Sequence, residues 1–167
     1  MAEEANPLQE LLVDELKDLY NAESQIIKAL PRMAKRATNE QLRAEFERHL
    51  DETQSHAGRL EQIAEEMNFT LRVKKCLGMQ GLLEEGKQLM SEGLDVEALD
   101  AGMIGAAQKV EHYEIAAYGT ARTHASQLGL RRVARLLQQT LDEEGRADKK
   151  LTALAESMIN VGAAQRA

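Results

Sequence analysis

Apolar residues recur along the chain at alternating spacings of three and four, and they form four stripes separated by polar or glycine-containing links. Such spacing places the apolar side chains of each segment on one face of a helix. Asn6 before Pro7, and later Asn39, are typical of residues that begin a helix, and Gly129 is typical of a helix end. The pattern predicts four long helices, at about residues 7–37, 40–67, 95–127 and 130–160.

The lengths of the links predict how these helices connect. Only a few residues separate the first helix from the second and the third from the fourth, so each pair forms an antiparallel hairpin. Residues 68–94 lose the periodicity and contain four glycines, which predicts a crossover with one short helix near residues 82–90. We therefore expect an all-α fold over residues 1–167, a single ferritin-like four-helix bundle of two hairpins with one long crossover.

The composition agrees with helices and restricts the partners. Five aromatic residues and no Trp among 167 residues exclude an all-β fold. The net charge of −7 argues against a nucleic-acid partner. No stretch approaches the ~18 consecutive apolar residues of a membrane helix, and the first ten residues lack the features of a signal peptide. With Cys76 as the one cysteine, we expect a cytoplasmic protein that does not bind a membrane.

Acidic residues and histidine interrupt the apolar stripes at one level of the predicted bundle. A carboxylate in such a core costs several kcal/mol unless it is paired or binds a metal. Counting from the hairpin turn near residue 38 places Glu23 level with the stretch from Glu52 to His56. The turn near residue 128 likewise places Glu111 level with the stretch from Glu144 to Asp148. All four helices therefore bring polar groups to the middle layer.

These groups have the chemistry of a metal site. Glu111 and Glu114 share a helix face, as do the pairs spaced by four on the second and fourth helices. Gathered carboxylates repel one another unless cations neutralise them, and oxygen ligands with imidazole suit iron or manganese. We therefore predict two Fe ions, or Mn, as cofactors. The predicted metal ligands are Glu23, Glu52, His56, Glu111, Glu114, Glu144 and Asp148.

Several alternatives stay open at this point. For each acid the alternative is an exposed carboxylate on a helix, and for Glu52, Glu114 and Asp148 an outer-sphere acid is a further alternative. For His56 the alternative is a core histidine bonded to a neighbour. His49 lies two turns before His56 on the same stripe, and we predict a core or outer-sphere residue there. The helical phase does not decide whether Glu52 or Thr53 faces the ions.

Five separated segments also match a known pattern in order. They are residues 14–26 (DELKDLYNAESQI), 46–61 (FERHLDETQSHAGRLE), 75–83 (KCLGMQGLL), 110–121 (VEHYEIAAYGTA) and 141–151 (LDEEGRADKKL). Over nearly its whole length the chain thus resembles the YciE/YciF family of bacterial stress-associated ferritin-like proteins. The resemblance implies a homodimer with a di-iron-type bundle, and it implies little about the reaction.

One feature departs from the wider ferritin pattern. Ferritins and their relatives typically have Glu-x-x-His on two helices. Here the second helix has Glu52-x-x-x-His56 and the fourth has Glu144-x-x-x-Asp148, without a second histidine. This difference indicates a site that is richer in oxygen ligands or partly degenerate.

Two functions are compatible with these observations. The first is a protein that uses a di-iron or dimanganese site to handle oxygen, peroxide or ferrous iron during stress, as an oxidase, ferroxidase or peroxidase would; no catalytic residue is assigned. The second is a non-enzymatic structural or interaction protein in which metal only stabilises the bundle. The missing second histidine favours the second function, and the level arrangement of acids favours the first.

Overall fold

The computed structural model describes residues 6–72 and 74–165, and within these ranges the secondary structure is helical. The helices are α1 (Pro7–Arg36), α2 (Glu40–Glu66), α3 (Leu77–Ser91), α4 (Val96–Gln127) and α5 (Arg131–Leu154), followed by a π-helical turn (Ala155–Ile159) and α6 (Asn160–Ala164). The prediction of an all-α bundle is confirmed. Helices α1, α2 and α4 lie within one residue of their predicted ranges.

The four long helices close into a bundle. Helix α1 packs against α2 and α4, and α5 packs against α4 and α2, while α3 covers the outer side of α1 and α4. Local capping agrees with the sequence: the side chain of Asn6 accepts a hydrogen bond from the Leu8 amide, and that of Asn39 accepts from the Gln41 amide. Among the described helices, none is long and apolar enough to cross a membrane.

Helix α3 begins about five residues earlier than predicted, with a cysteine cap and a close approach to Tyr113 in its first turn. The Cys76 sulfur accepts a hydrogen bond from the Met79 amide, at 3.4 Å, and both side chains are fully buried. Gly78 allows the helix to lie close to Tyr113, since a Cβ at this position would be 2.6 Å from the ring. Contacts of this kind leave no trace in the apolar periodicity.

The apolar core consists of two clusters, one on either side of a polar layer. In α1 one cluster takes its residues from Leu12 to Leu19 and the other from Ala22 to Ala34. Helices α2, α4 and α5 change from one cluster to the other in the same way. The polar side chains between the clusters are therefore closed off along the bundle axis in both directions.

A buried acid connects the two hairpins at one end of the bundle. Asp100 at the start of α4 is 2% exposed. Its carboxylate accepts hydrogen bonds from the amides of Thr38 and Asn39, at 3.0 and 2.8 Å, and from the Thr38 hydroxyl, at 2.6 Å. The turn between α1 and α2 is thereby held against α4.

Replacing this acid is expected to destabilise the fold. We expect Asp100→Ala to lower the free energy of unfolding by about 2–3 kcal/mol, because it leaves amides of the turn without their partner. Urea denaturation followed by circular dichroism measures the change. The control is Glu92→Ala, at an exposed position, where we expect a change within about 0.5 kcal/mol. Equal stabilities of the two variants would show that Asp100 does not hold the turn.

Candidate metal centre

Six ionisable side chains fill the layer between the apolar clusters. Each is no more than 4% exposed. Every long helix contributes at least one of them. They are Glu23 on α1, His49 and His56 on α2, Glu111 and Glu114 on α4, and Glu144 on α5.

The six side chains form two groups that share one member. One ligand atom each from His49, Glu111, Glu114 and Glu144 lies within 4.8 Å of the others, and the same holds for Glu23, His56 and Glu144. Glu144 belongs to both groups, with Oε1 2.9 Å from His56 Nδ1 and Oε2 3.8 Å from His49 Nε2. The layer therefore contains two adjacent groups of possible ligand atoms that share one carboxylate.

Several carboxylate oxygens of this layer have no hydrogen-bond partner among the described residues. Both carboxylate oxygens of Glu114 and of Glu144 are buried without a hydrogen bond, as are one oxygen each of Glu23 and Glu111. A buried polar atom that is left unbonded costs about 1–3 kcal/mol. Several such atoms that face one another are what a cation site requires, and oxygen donors with two imidazoles fit iron or manganese.

A carboxylate on the side of the ring away from the layer fixes the orientation of His56. Its Nε2 lies 3.0 Å from Glu143 Oε2, whereas Nδ1 points into the layer, 3.4 Å from Glu23 Oε1. Arg59 holds both oxygens of Glu143 and donates a further hydrogen bond to Thr140. A carboxylate that accepts the outer N–H of a histidine leaves the other nitrogen free to bind metal, here Nδ1.

His49 has the opposite orientation. Its Nε2 lies 3.1 Å from Glu111 Oε1, and its Nδ1 lies 3.6 Å from Glu52 Oε2, outside hydrogen-bond distance. Glu52 is itself paired with Arg48. The hydroxyl of Thr53, a fully buried residue, donates to the His49 carbonyl at 2.8 Å. Glu52 thus lies next to Nδ1 of His49, on the side away from Glu111. Thr53 is the residue on the inward-facing stripe of α2.

Protons neutralise much of the negative charge in the absence of metal. Burial raises the pKa of Glu114, and burial together with the neighbouring Glu144 raises that of Glu111. Burial alone would lower the pKa of His56, but Glu144 and Glu23 outweigh it and raise this pKa to about 10. Burial likewise opposes ionisation of Glu144, yet contacts with Glu111 and His56 hold its pKa well below the usual range. Glu111, Glu114 and His56 therefore keep their protons to higher pH than free side chains do, whereas Glu144 remains ionised.

A tyrosine completes the layer on the side of α1. The phenol of Tyr118, fully buried, donates a hydrogen bond to Glu23 Oε1. Its ring lies edge-on to that of His56, with the centroids 6.4 Å apart. Tyr118 satisfies Oε1 of Glu23, and the other oxygen, Oε2, is buried without a hydrogen-bond partner among the described residues.

The structure brings together five of the seven side chains that the sequence predicted as ligands. These are Glu23, His56, Glu111, Glu114 and Glu144. Glu52 lies next to His49 instead, as described above. Asp148 belongs to neither group: it accepts a hydrogen bond from Gln108, at 3.1 Å, and lies 3.2 Å from His112.

Sequence reasoning passed over two residues that the structure places at the site. His49 is a member of one group, although we expected it in the core or outer sphere. The signal was present, since two inward histidines spaced by seven lie on one helix face. Glu143 behind His56 gave no periodic signal, because it lies beside the stripe and its role depends on packing against α2.

The fold and this layer define a class of protein, a helical bundle with a buried carboxylate and histidine centre that can hold metal. Residues 7–164 match the family described as "Domain of unknown function (DUF892)", and the chain belongs to this family. It is 43% identical to protein YciF of Escherichia coli (strain K12) over 161 residues, which is 96% of this chain and 97% of YciF.

Solved structures show the same fold. The crystal structure of the E. coli stress protein YciF has a TM-score of 0.89 at 43% identity and covers 93% of this chain and 98% of its own. YcfI from Rhodopseudomonas palustris has a TM-score of 0.86 at 38% identity, with 91% and 97% covered. Protein XCC3681 from Xanthomonas campestris pv. campestris has a TM-score of 0.75 at 21% identity, with 95% and 97% covered, and shows the fold alone.

Proposed function

We propose that the buried layer binds two iron ions, or manganese, and that the protein uses them to handle oxygen, peroxide or ferrous iron. The observation that carries this proposal is the membership of Glu144 in both ligand groups. A shared carboxylate holds two ions close together, and such a pair supplies electron transfer to an oxidant when it is bound. The E. coli relative is described as a stress protein, which agrees with chemistry on reactive oxygen.

The chain's own residues have distinct tasks in this proposal. Glu23 with His56, and Glu111 with His49, hold one ion position each, while Glu144 lies between them. The two apolar clusters keep bulk water out along the bundle axis. Low polarity around the layer strengthens every electrostatic contact inside it.

Metal content and turnover test the proposal together. We expect protein produced with iron to contain about two ions per chain by elemental analysis, and the loaded protein to consume hydrogen peroxide or ferrous iron faster than the metal-free form. Glu47→Gln, which removes an exposed acid of α2, should bind as much metal as the parent protein and turn over at the same rate. A parent protein without stoichiometric metal would contradict the proposal.

A second function is favoured by the depth of the layer. Each ligand is 4% exposed or less, which restricts the approach of a substrate. In this case metal serves to neutralise the buried acids and the protein has a structural or interaction role. Loaded protein would then consume neither peroxide nor ferrous iron, yet would lose stability with a chelator.

We also propose that the chain forms a cytoplasmic homodimer that does not bind nucleic acid. Within the described residues several large apolar side chains lie on the surface, and they offer area to a second copy. They are Leu11, Leu77, Leu94, Val96, Met158 and Val161. Sedimentation velocity tests this assembly, and a monomer at micromolar concentration would contradict it.

The carboxylate behind His56 provides a sharper prediction about the site. We expect Glu143→Ala to weaken metal binding about 10–100-fold, because the outer N–H of His56 loses the acceptor that orients the ring. Competition with a chelator of known affinity measures the change. The control is Asp142→Ala, the exposed neighbour, whose carboxylate accepts a hydrogen bond from Gln138 on its own helix. If both variants bind metal equally well, Glu143 does not position His56.

A further inference from the structure

A groove separate from the metal centre runs between α1, α3 and α4. Its volume is about 320 Å³, which lies within the range of small-molecule sites, roughly 300–1,000 Å³. The floor is apolar and includes Met33, Leu83, Met90, Met103 and Val110. Methionine side chains are flexible and adapt to irregular apolar ligands.

The rim of the groove is positively charged. Lys28 and Arg32 lie one turn apart on α1 and are exposed, and neither forms an ion pair within the described residues. Lys87 faces them from α3, 3.9 Å from Glu84, the one acid on this rim. Since the whole chain has a net charge of −7, two unpaired cations beside an apolar groove are an unusual local feature.

The apolar floor of the groove offers a peptide backbone few hydrogen-bond partners, although Gln80 and the charged rim also line the groove. The amide nitrogen of Gln25, which lines one end, already donates to Asn21 Oδ1 at 2.8 Å and to the Cys76 carbonyl at 3.0 Å. A peptide backbone laid along the apolar floor would lose its hydrogen bonds to water without gaining others. An alkyl chain has no such requirement.

We propose that this groove binds a fatty acid, with the acyl chain on the apolar floor and the carboxylate between Lys28 and Arg32. A carboxylate forms short, charge-assisted hydrogen bonds with such cations. The acyl chain is stabilised because the apolar floor removes it from water. None of the six side chains of the metal centre lines the groove. The proposal is therefore independent of the proposed metal function.

Calorimetric titration with dodecanoate, below the concentration at which it forms micelles, tests the proposal on the full chain. We expect one site per chain, and binding about tenfold weaker in the double variant Lys28→Gln with Arg32→Gln. The matched control is Lys35→Gln with Arg36→Gln, which removes two exposed cations from the same helix outside the groove and should bind as the parent does. Dodecyltrimethylammonium, of opposite charge, should not bind.

A variant that fills the groove tests the apolar floor separately from the charged rim. Ala29→Trp places a large ring in the groove from α1, and we expect it to abolish binding while the helical content and melting temperature stay near those of the parent. The proposal is overturned if dodecanoate does not bind, if the rim double variant binds like the parent, or if dodecyltrimethylammonium binds equally well. If the parent does not bind dodecanoate and Ala29→Trp disrupts a dimer, the groove is instead an interface with a second copy of the chain.

Discussion

Adding Fe²⁺ or Mn²⁺ to the metal-free protein is expected to raise its free energy of unfolding by about 4 kcal/mol or more. A ligand present at a thousandfold excess over its dissociation constant stabilises the folded state by about 4 kcal/mol per site. The six ligand side chains come from four helices, so the site exists only in the folded bundle. Urea denaturation with metal and with a chelator measures the difference.

The same titration should release protons. Burial raises the pKa of Glu114 and, together with Glu144, that of Glu111, while neighbouring carboxylates raise that of His56 to about 10. Groups whose pKa is raised keep their protons to higher pH, and metal ions bind only the deprotonated forms. Metal affinity should therefore fall as the pH falls, because protons then compete more strongly. An indicator dye in weakly buffered solution measures the protons released.

Two variants distinguish the loss of a metal ligand from the loss of any acidic residue. Glu144→Ala should remove the stabilisation by metal at both positions, because Glu144 belongs to both groups. Asp148→Ala, four residues later on the same helix, should retain it, since Asp148 lies in neither group. If metal stabilises Glu144→Ala as strongly as the parent, or Asp148→Ala also loses the effect, the assignment of ligands is wrong.

The sequence predicted the level of the site because helix geometry relates position to height. Each residue advances a helix by about 1.5 Å, so counting from a short hairpin turn aligns residues on two helices. This count placed Glu23 level with residues 52–56 and Glu111 level with residues 144–148. Of these stretches, the structure brings His56 and Glu144 into the ligand groups. Glu114 followed because a residue three positions after Glu111 lies on the same face.

The same geometry explains what the sequence did not predict. Seven residues advance α2 by about 10 Å between His49 and His56, yet the centroids of their two rings lie 6.4 Å apart. The two histidines belong to different groups, and only the assembled bundle shows that these groups are adjacent. The choice between Glu52 and Thr53 depended on a rotation of α2 that packing sets, and Thr53 is the fully buried one. Asp148 lies a full turn beyond Glu144, where Gln108 of α4 binds it.

The role of the start of α3 was also hidden in the sequence. Its first turn depends on a cysteine that accepts a backbone hydrogen bond and on a glycine that contacts Tyr113. Neither feature belongs to a helical period. Long amphipathic helices are therefore predictable from this sequence, whereas the structure of the crossover depends on its contacts with the assembled bundle.

Replacing one buried acid by an apolar residue should have opposite effects on the metal-free and the metal-loaded protein. We expect Glu114→Leu to stabilise the metal-free protein by about 1–3 kcal/mol, since it removes a fully buried carboxyl group whose two oxygens have no hydrogen-bond partner. Stabilisation of the variant by metal should be much weaker, because the group of His49 and Glu111 loses a donor. Urea denaturation of both proteins, with and without metal, measures the four stabilities.

The opposite signs are what distinguish a metal site from an ordinary buried ion-pair network. In a network that stabilises the fold by itself, removal of one member leaves its partners unpaired and destabilises the metal-free protein by about 3–5 kcal/mol. The control Glu47→Leu, at an exposed position on α2, should change the stability by less than about 0.5 kcal/mol in either state. A metal-free Glu114→Leu protein less stable than the parent would mean that this carboxyl group supports the bundle without a cation. Because Glu114 has no hydrogen-bond partner of its own, we expect its charge to be useful only once a metal is bound.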